Sequence, residues 1–193
     1  RWALIAAAVT LVASLRLPEQ PGRPAWTENT GAKLVIGLTA WIWIQNLWAL
    51  SGDDQLDLSI LFTKYVVLIY LIYKLVDDEQ NLRNFLLAHV LGCFYLGILI
   101  LQAPDSGRLE GVGGPGIDEA NALGMHLGTG ALAAGVLLLR GTLAQRTFAF
   151  AALAVLINGV VQTESRGAFL GVVAGGLTML VLSPPRLRKY RVV

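Results

Sequence analysis

Long apolar runs broken by short polar stretches dominate the chain. A bilayer-spanning helix needs about 20 mostly apolar residues, with a range of roughly 17–25. Seven segments meet or approach that: Trp2–Leu17, Leu34–Leu50, Ser59–Val76, Leu82–Gln102, Glu119–Leu139, Thr147–Gln162 and Gly167–Leu182. They are apolar on all sides rather than along one stripe, the pattern of helices with lipid for a neighbour and not of amphipathic helices on a soluble core. The pattern predicts an all-α, polytopic membrane protein of about seven transmembrane helices, a single helical transmembrane domain over residues 1–193.

Two polar breaks carry most of the chemistry. Arg108–Asn121, RLEGVGGPGIDEAN, holds Arg108, the acids Glu110, Asp118 and Glu119, Pro115 and the glycines 111, 113, 114 and 116, with Asp105 just before it. Thr163-Glu164-Ser165-Arg166-Gly167 is the smaller one, and it is expected to partner the first.

Composition agrees with the pattern. The chain is 55% hydrophobic and 15% charged, with a mean hydropathy of +0.61, whereas soluble domains average about a quarter charged residues. A formal net charge of +2 gives no footing for a nucleic-acid partner. Cys93, the single cysteine, cannot form an internal disulfide and says nothing about redox compartment. The chain opens on Arg1 without an initiator Met and stops soon after a basic run, Arg186–Arg191, so a piece truncated at both ends is expected.

The distribution of positive charge sets the expected topology. Arg16, Arg23 and Lys33, then Lys74 and Arg83, then Arg140 and Arg146, and finally Arg186, Arg188, Lys189 and Arg191 fall on alternate loops. The opposite side has only Arg108 and Arg166, besides Lys64 near a helix end and Arg1, and its Ser51–Leu58 loop carries Asp53, Asp54 and Asp57. The positive-inside rule then places the C-terminal tail in the cytoplasm and the Arg108 and Arg166 loops together on the outer face. Trp26, Trp48 and Tyr73 fall near interfaces, where aromatic rings are favoured, while Trp41 and Trp43 lie deeper and are expected to pack. Gly124 and Gly128, and likewise Gly167, Gly171 and Gly175, recur every four residues and offer smooth faces for close helix packing.

Ser165 has the side chain of an N-cap and Arg166 follows at the first helical position. A cation there opposes the helix dipole by ~0.3–1 kcal/mol. Either Glu164 neutralises it, or free backbone N–H groups and the guanidinium converge on a bound anion, as phosphate sites do. In the longer loop, Gly113-Gly114-Pro115-Gly116 forces a tight turn, Asp118 is the expected N-cap and Glu119 falls in the first helical turn. His126 is a functional candidate because ionisable groups inside membrane helices are costly, although a lone His among glycines is more often a hydrogen-bonded packing residue; His89 is the weaker candidate. Two arginines on neighbouring outer loops can each bind phosphate in bidentate fashion and so clamp a diphosphate at the membrane surface. No GxxxxGK[ST], HExxH, CxxC or Ser-His-Asp arrangement is present, so soluble-type ATPase and zinc-protease chemistries have no support. No cofactor is expected.

Arg108 with Gly113-Gly114-Pro115-Gly116-Ile117-Asp118-Glu119-Ala120-Asn121-Ala122-Leu123, followed one helical hairpin later by Ser165-Arg166-Gly167-Ala168-Phe169-Leu170-Gly171, resembles the O-antigen ligase and polymerase superfamily. The variant with an acid before the Asn is most similar to the O-glycosylation ligases of exopolysaccharide gene neighbourhoods, over roughly Ser59 to Leu182. The resemblance implies a metal-independent, C-type membrane glycosyltransferase of the bacterial inner membrane. Such an enzyme moves a glycan from undecaprenyl pyrophosphate to a lipid or protein acceptor at the outer, periplasmic face. It implies that Arg108 and Arg166 engage the pyrophosphate, with Gly114, Gly116, Asp118, Glu119, Asn121, Glu164 and Ser165 around the substrate. The family's presumed base is a histidine on a large outer loop further along; His126 does not match that position, and the base is expected beyond Val193. A polysaccharide polymerase of the same superfamily and a transporter or flippase for a lipid-linked or anionic substrate are the alternatives, with a non-catalytic membrane scaffold behind them.

Overall fold

The computed structural model describes residues 2–16, 24–103, 109, 111–113, 117 and 119–182. Among the described residues there are seven α-helices and no strands: α1 (Trp2–Leu15), α2 (Thr30–Gln45), α3 (Gly52–Leu75), α4 (Glu79–Gln102), α5 (Ala120–Arg140), α6 (Leu143–Gln162) and α7 (Arg166–Leu182). The fold class is the expected one. Four of them, α3 to α6, are long and apolar enough to cross a membrane, and α1 and α7 are shorter apolar helices. At 1.5 Å per residue, the 24 residues of α3 or of α4 reach about 36 Å, more than the ~30 Å hydrocarbon core. Large side chains such as Leu68 on α3, Leu91 and Tyr95 on α4 and Phe150 on α6 are exposed on these helices. Lipid is the solvent that tolerates such surfaces, and the chain is a membrane protein.

Helix starts differ from the hydropathy boundaries where polar residues can cap or charge a first turn. α3 begins at Gly52, so Asp53, Asp54 and Asp57 lie in its opening turns rather than in a loop. Carboxylates there complement the positive end of the helix dipole. α6 begins at Leu143 because Thr142 and Gln145 form a reciprocal capping box, which takes Arg146 into the helix. α2 starts at Thr30, where the Asn29 side chain accepts from the Gly31 and Ala32 amides, and stops at Gln45 instead of running to Leu50.

The chain forms two compact units, residues 1–81 and 82–193. In the first, polar side chains join α2 to α3. Asn46 Nδ2 donates to Ser59 Oγ at 2.8 Å, Gln55 Nε2 to the Ile42 carbonyl at 2.9 Å and Trp43 Nε1 to Thr63 Oγ1 at 3.0 Å. With lipid tails as apolar as leucine, hydrogen bonds and close packing hold such helices together in place of a hydrophobic drive. Trp26 meets Tyr70 edge to face, and the Tyr73 hydroxyl donates to the Pro24 carbonyl. Trp41 does not pack as deeply as expected: it is 52% exposed and leans on Trp48.

In the second unit α5 is central. Half of its apolar window is buried, against 33% for α6 and 22% for α4. Leu123, Leu127, Ala134 and Leu137 of α5 are wholly buried with Leu156 of α6 and Val90 and Cys93 of α4. α5 and α6 run antiparallel, with Gly159 against Leu127 and Gly130 against Leu156. α5 and α7 run parallel and in step. Gly124 lies against Ala168, Gly128 against Val172 and Leu132 against Gly175. The four-residue glycine pattern of α5 is therefore used as expected. On α7 it is used only in part: Gly175 meets Leu132, whereas Gly167 and Gly171 have nothing within 4 Å of where a Cβ would stand, and the face turned to α5 is Ala168–Val172–Gly175.

Candidate functional site

Between α6 and α7 the chain reverses in three residues, and each has a distinct backbone task. Thr163 ends α6, wholly buried, its hydroxyl donating to the Val160 carbonyl at 2.7 Å. Glu164 takes the left-handed conformation at φ 52°, rare outside glycine and asparagine. Ser165 then returns to the helix as the N-cap of α7. Its Oγ accepts from the Ala168 amide at 3.2 Å, and its own amide donates to Thr163 Oγ1 at 3.4 Å. Local sequence accounts for the turn: two hydroxyl residues satisfy the buried amides and bracket one strained position.

This geometry places the side chains of the turn unequally. Thr163 and Ser165 are buried, whereas Glu164 and Arg166 are exposed. Arg166 is the first residue of α7, as expected. Glu164 precedes it by two positions, with Ser165 between them. The amides of Arg166 and Gly167, like all first-turn amides, lack intrahelical acceptors. An exposed guanidinium above a helix N-terminus is the arrangement that binds anions.

α5 starts beside this turn. A Cβ added at Gly124 would lie 2.7 Å from Thr163 Oγ1, 2.9 Å from Ala168 Cβ and 3.2 Å from Ser165 Cβ. The N-cap of α5 is Glu119, one residue later than expected, with extended backbone and no capping bond from its side chain. Asn121 is the second residue of the helix, and it is exposed, as is Glu119. Arg108, Gly114, Gly116 and Asp118 lie outside the described residues. Their described neighbours are informative: Leu109 is buried in the core of the second unit and Val112 packs against that core. Gly113 approaches Ile117 so closely that a Cβ would overlap the Ile117 carbonyl; the rest of the expected glycine turn lies outside the described residues. The structure thus brings Glu119, Asn121, Glu164, Ser165 and Arg166 to the helix-start end of the α5–α7 pair.

A second polar constellation was only partly legible. His89 and Cys93 of α4 face His126 and Thr129 of α5. His89 Nε2 is 3.1 Å from Thr129 Oγ1, Thr129 Oγ1 donates to the His126 carbonyl at 2.8 Å and Cys93 Sγ donates to the same carbonyl at 3.4 Å. The two imidazoles meet edge to face with ring centroids 5.3 Å apart. The four-residue spacing of His89 and Cys93 puts them on one helix face. Nothing local in the sequence says that α5 brings His126 to that face.

No protein-family model matches the chain, and neither curated proteins nor solved structures show a significant match to it. The class that the fold defines is a polytopic α-helical membrane protein; any narrower reading depends on the site.

Proposed function

We propose that the chain is a membrane glycosyltransferase of the O-antigen ligase type. It moves a glycan from undecaprenyl pyrophosphate to an acceptor hydroxyl at the outer face of the bacterial inner membrane. The observation that carries this reading is the contact of Gly124 with Thr163, Ser165 and Ala168, through which the two motifs of the resemblance, distant in sequence, share one end of a helix pair. Arg166, exposed at the α7 N-terminus, binds one phosphate, and Arg108, from the loop anchored by buried Leu109, binds the other. As the glycosidic bond breaks, negative charge grows on the departing pyrophosphate. Two guanidiniums and the first-turn amides stabilise that charge more than they stabilise the bound donor, which is what accelerates the step. Glu119, Asn121 and Glu164 line the approach of the sugar or the acceptor.

The test is transfer from the lipid-linked donor by the full-length protein in liposomes. Removal of one transition-state donor typically costs about 10²–10³ in rate. Arg166→Ala and Arg108→Ala are each expected to lower turnover by that order, and Arg166→Lys by less. Near-normal turnover in both alanine variants would overturn the clamp. Movement of the donor across the bilayer without any transfer would replace the reading with a transporter.

A further inference from the structure

We propose that His89, Cys93 and His126 form a binding site for one thiophilic metal ion, with Cu(I) preferred over Zn(II), at the seam between α4 and α5 of the second unit, where Cys93 is buried and the two histidines are half-buried. The inference is independent of the glycosyltransferase reading and stands on residues outside the α5–α7 helix starts.

The donor atoms already converge. One ligand atom from each of the three residues lies within 4.8 Å of the others, and Cys93 Sγ is 3.7 Å from His89 Nε2 and 4.0 Å from Nδ1. An ion with bonds of about 2.0–2.3 Å holds its ligand atoms roughly 3.4–3.8 Å apart. Closure from the 4.8 Å limit therefore needs ligand atoms to approach by about 1–1.4 Å, a distance that side-chain rotation can cover.

The surroundings orient the ligands. Thr129 Oγ1 donates to the His126 carbonyl at 2.8 Å and lies 3.1 Å from His89 Nε2. In the tautomer with the proton on Nε2, Thr129 accepts it and Nδ1, 4.0 Å from Cys93 Sγ, is the nitrogen free to bind. Metal-binding imidazoles are held in this way, the far N–H fixed by an outer acceptor. On the other side of Cys93, a Cβ at residue 130 would stand 2.7 Å from Sγ; Gly130 leaves the thiol the room it occupies.

Binding is balanced in protons and partners. The Cys93 S–H bond breaks, its proton passes to water and a metal–sulfur bond forms. The His126 carbonyl loses the thiol as a donor but keeps the Thr129 hydroxyl, so no buried polar group is orphaned. Charge decides the ion. Two neutral imidazoles and a thiolate make a neutral complex with Cu(I) and leave a net positive charge with Zn(II), which is costly within a lipid-surrounded bundle. Thiolate and imidazole both suit Cu(I).

The full chain, reduced and purified in detergent, is titrated with Cu(I) against a chromogenic Cu(I) chelator. One equivalent is expected to be retained, with a sulfur scatterer in the X-ray absorption spectrum. Cys93→Ser and His126→Leu are each expected to weaken retention at least a hundredfold, and Thr129→Val by 10–100-fold, the usual effect of losing an outer-shell partner. Helicity and monodispersity are monitored alongside. Should Cys93→Ser fail to fold, the sulfur signal of the unaltered protein and the Thr129→Val variant decide. Retention equal in wild type and Cys93→Ser, a copper spectrum without sulfur, or tighter binding of Zn(II) than of Cu(I) would each overturn the proposal.

Discussion

Gly124 of α5 sits against the hydroxyl of Thr163, so close that an added Cβ would stop 2.7 Å from Oγ1. Ala168 Cβ would be only 2.9 Å away on the same side, and neither neighbour is a flexible side-chain end. Gly124→Val should destabilise the protein by about 1–3 kcal/mol, the usual cost of overpacking. Gly171→Leu on α7, where the space is open, should change stability by less than about 0.5 kcal/mol. Thermal unfolding in detergent reads both; equal effects would contradict the helix register described above.

Ser165 closes the α6–α7 turn by capping Ala168. Ser165→Ala should cost about 0.5–2 kcal/mol, and Ser165→Asn should recover much of it. If the alanine variant melts with wild type, the cap contributes nothing and the turn is held by packing alone.

Glu164 separates backbone strain from charge. With φ at 52°, Glu164→Gly should raise stability by about 0.5–1 kcal/mol, and β-branched Glu164→Val should lower it by about 1 kcal/mol or more. Glu164→Asn keeps the left-handed conformation accessible while removing the carboxylate. A transfer defect in the asparagine variant without a loss of melting temperature would assign the acid to the substrate and not to the turn.

In the first unit, the Asn46–Ser59 bond is the polar tie to test. A double-mutant cycle with Asn46→Ala and Ser59→Ala should return a coupling near ~0.6 kcal/mol and not above ~1.7, the range found for hydrogen bonds between membrane helices. A coupling indistinguishable from zero would assign the α2–α3 contact to shape alone.

Hydropathy made the helices legible because an apolar side chain suits both the lipid around α3 and the helix neighbours that cover half of α5. Ends were less legible. Asp53 and Asp54 look like loop residues to a hydropathy window, yet a first turn welcomes them, and the Thr142–Gln145 box extends α6 in the same way. The Ser165 cap was readable because capping is local. The displacement of the α5 N-cap from Asp118 to Glu119 was not, since both acids suit that position and only the path of the chain chooses between them. Gly167 and Gly171 carried the packing pattern without the packing, because periodicity names a face and not its neighbour. For the same reason His89 and His126 are legible singly but their meeting with Cys93 is not: His126 lies 33 positions from Cys93, on another helix.

The meshing of Gly124 and Gly128 with Ala168 and Val172 works like a rack engaged with its pinion. Sliding α7 along α5 to the next matching notch means a jump of four residues, about 6 Å, past contacts too tight to ride over. The starts of the two helices consequently travel as one rigid piece. A ligand that spans Asn121 and Arg166 meets a gap whose width is already set, and its affinity is not spent on closing it.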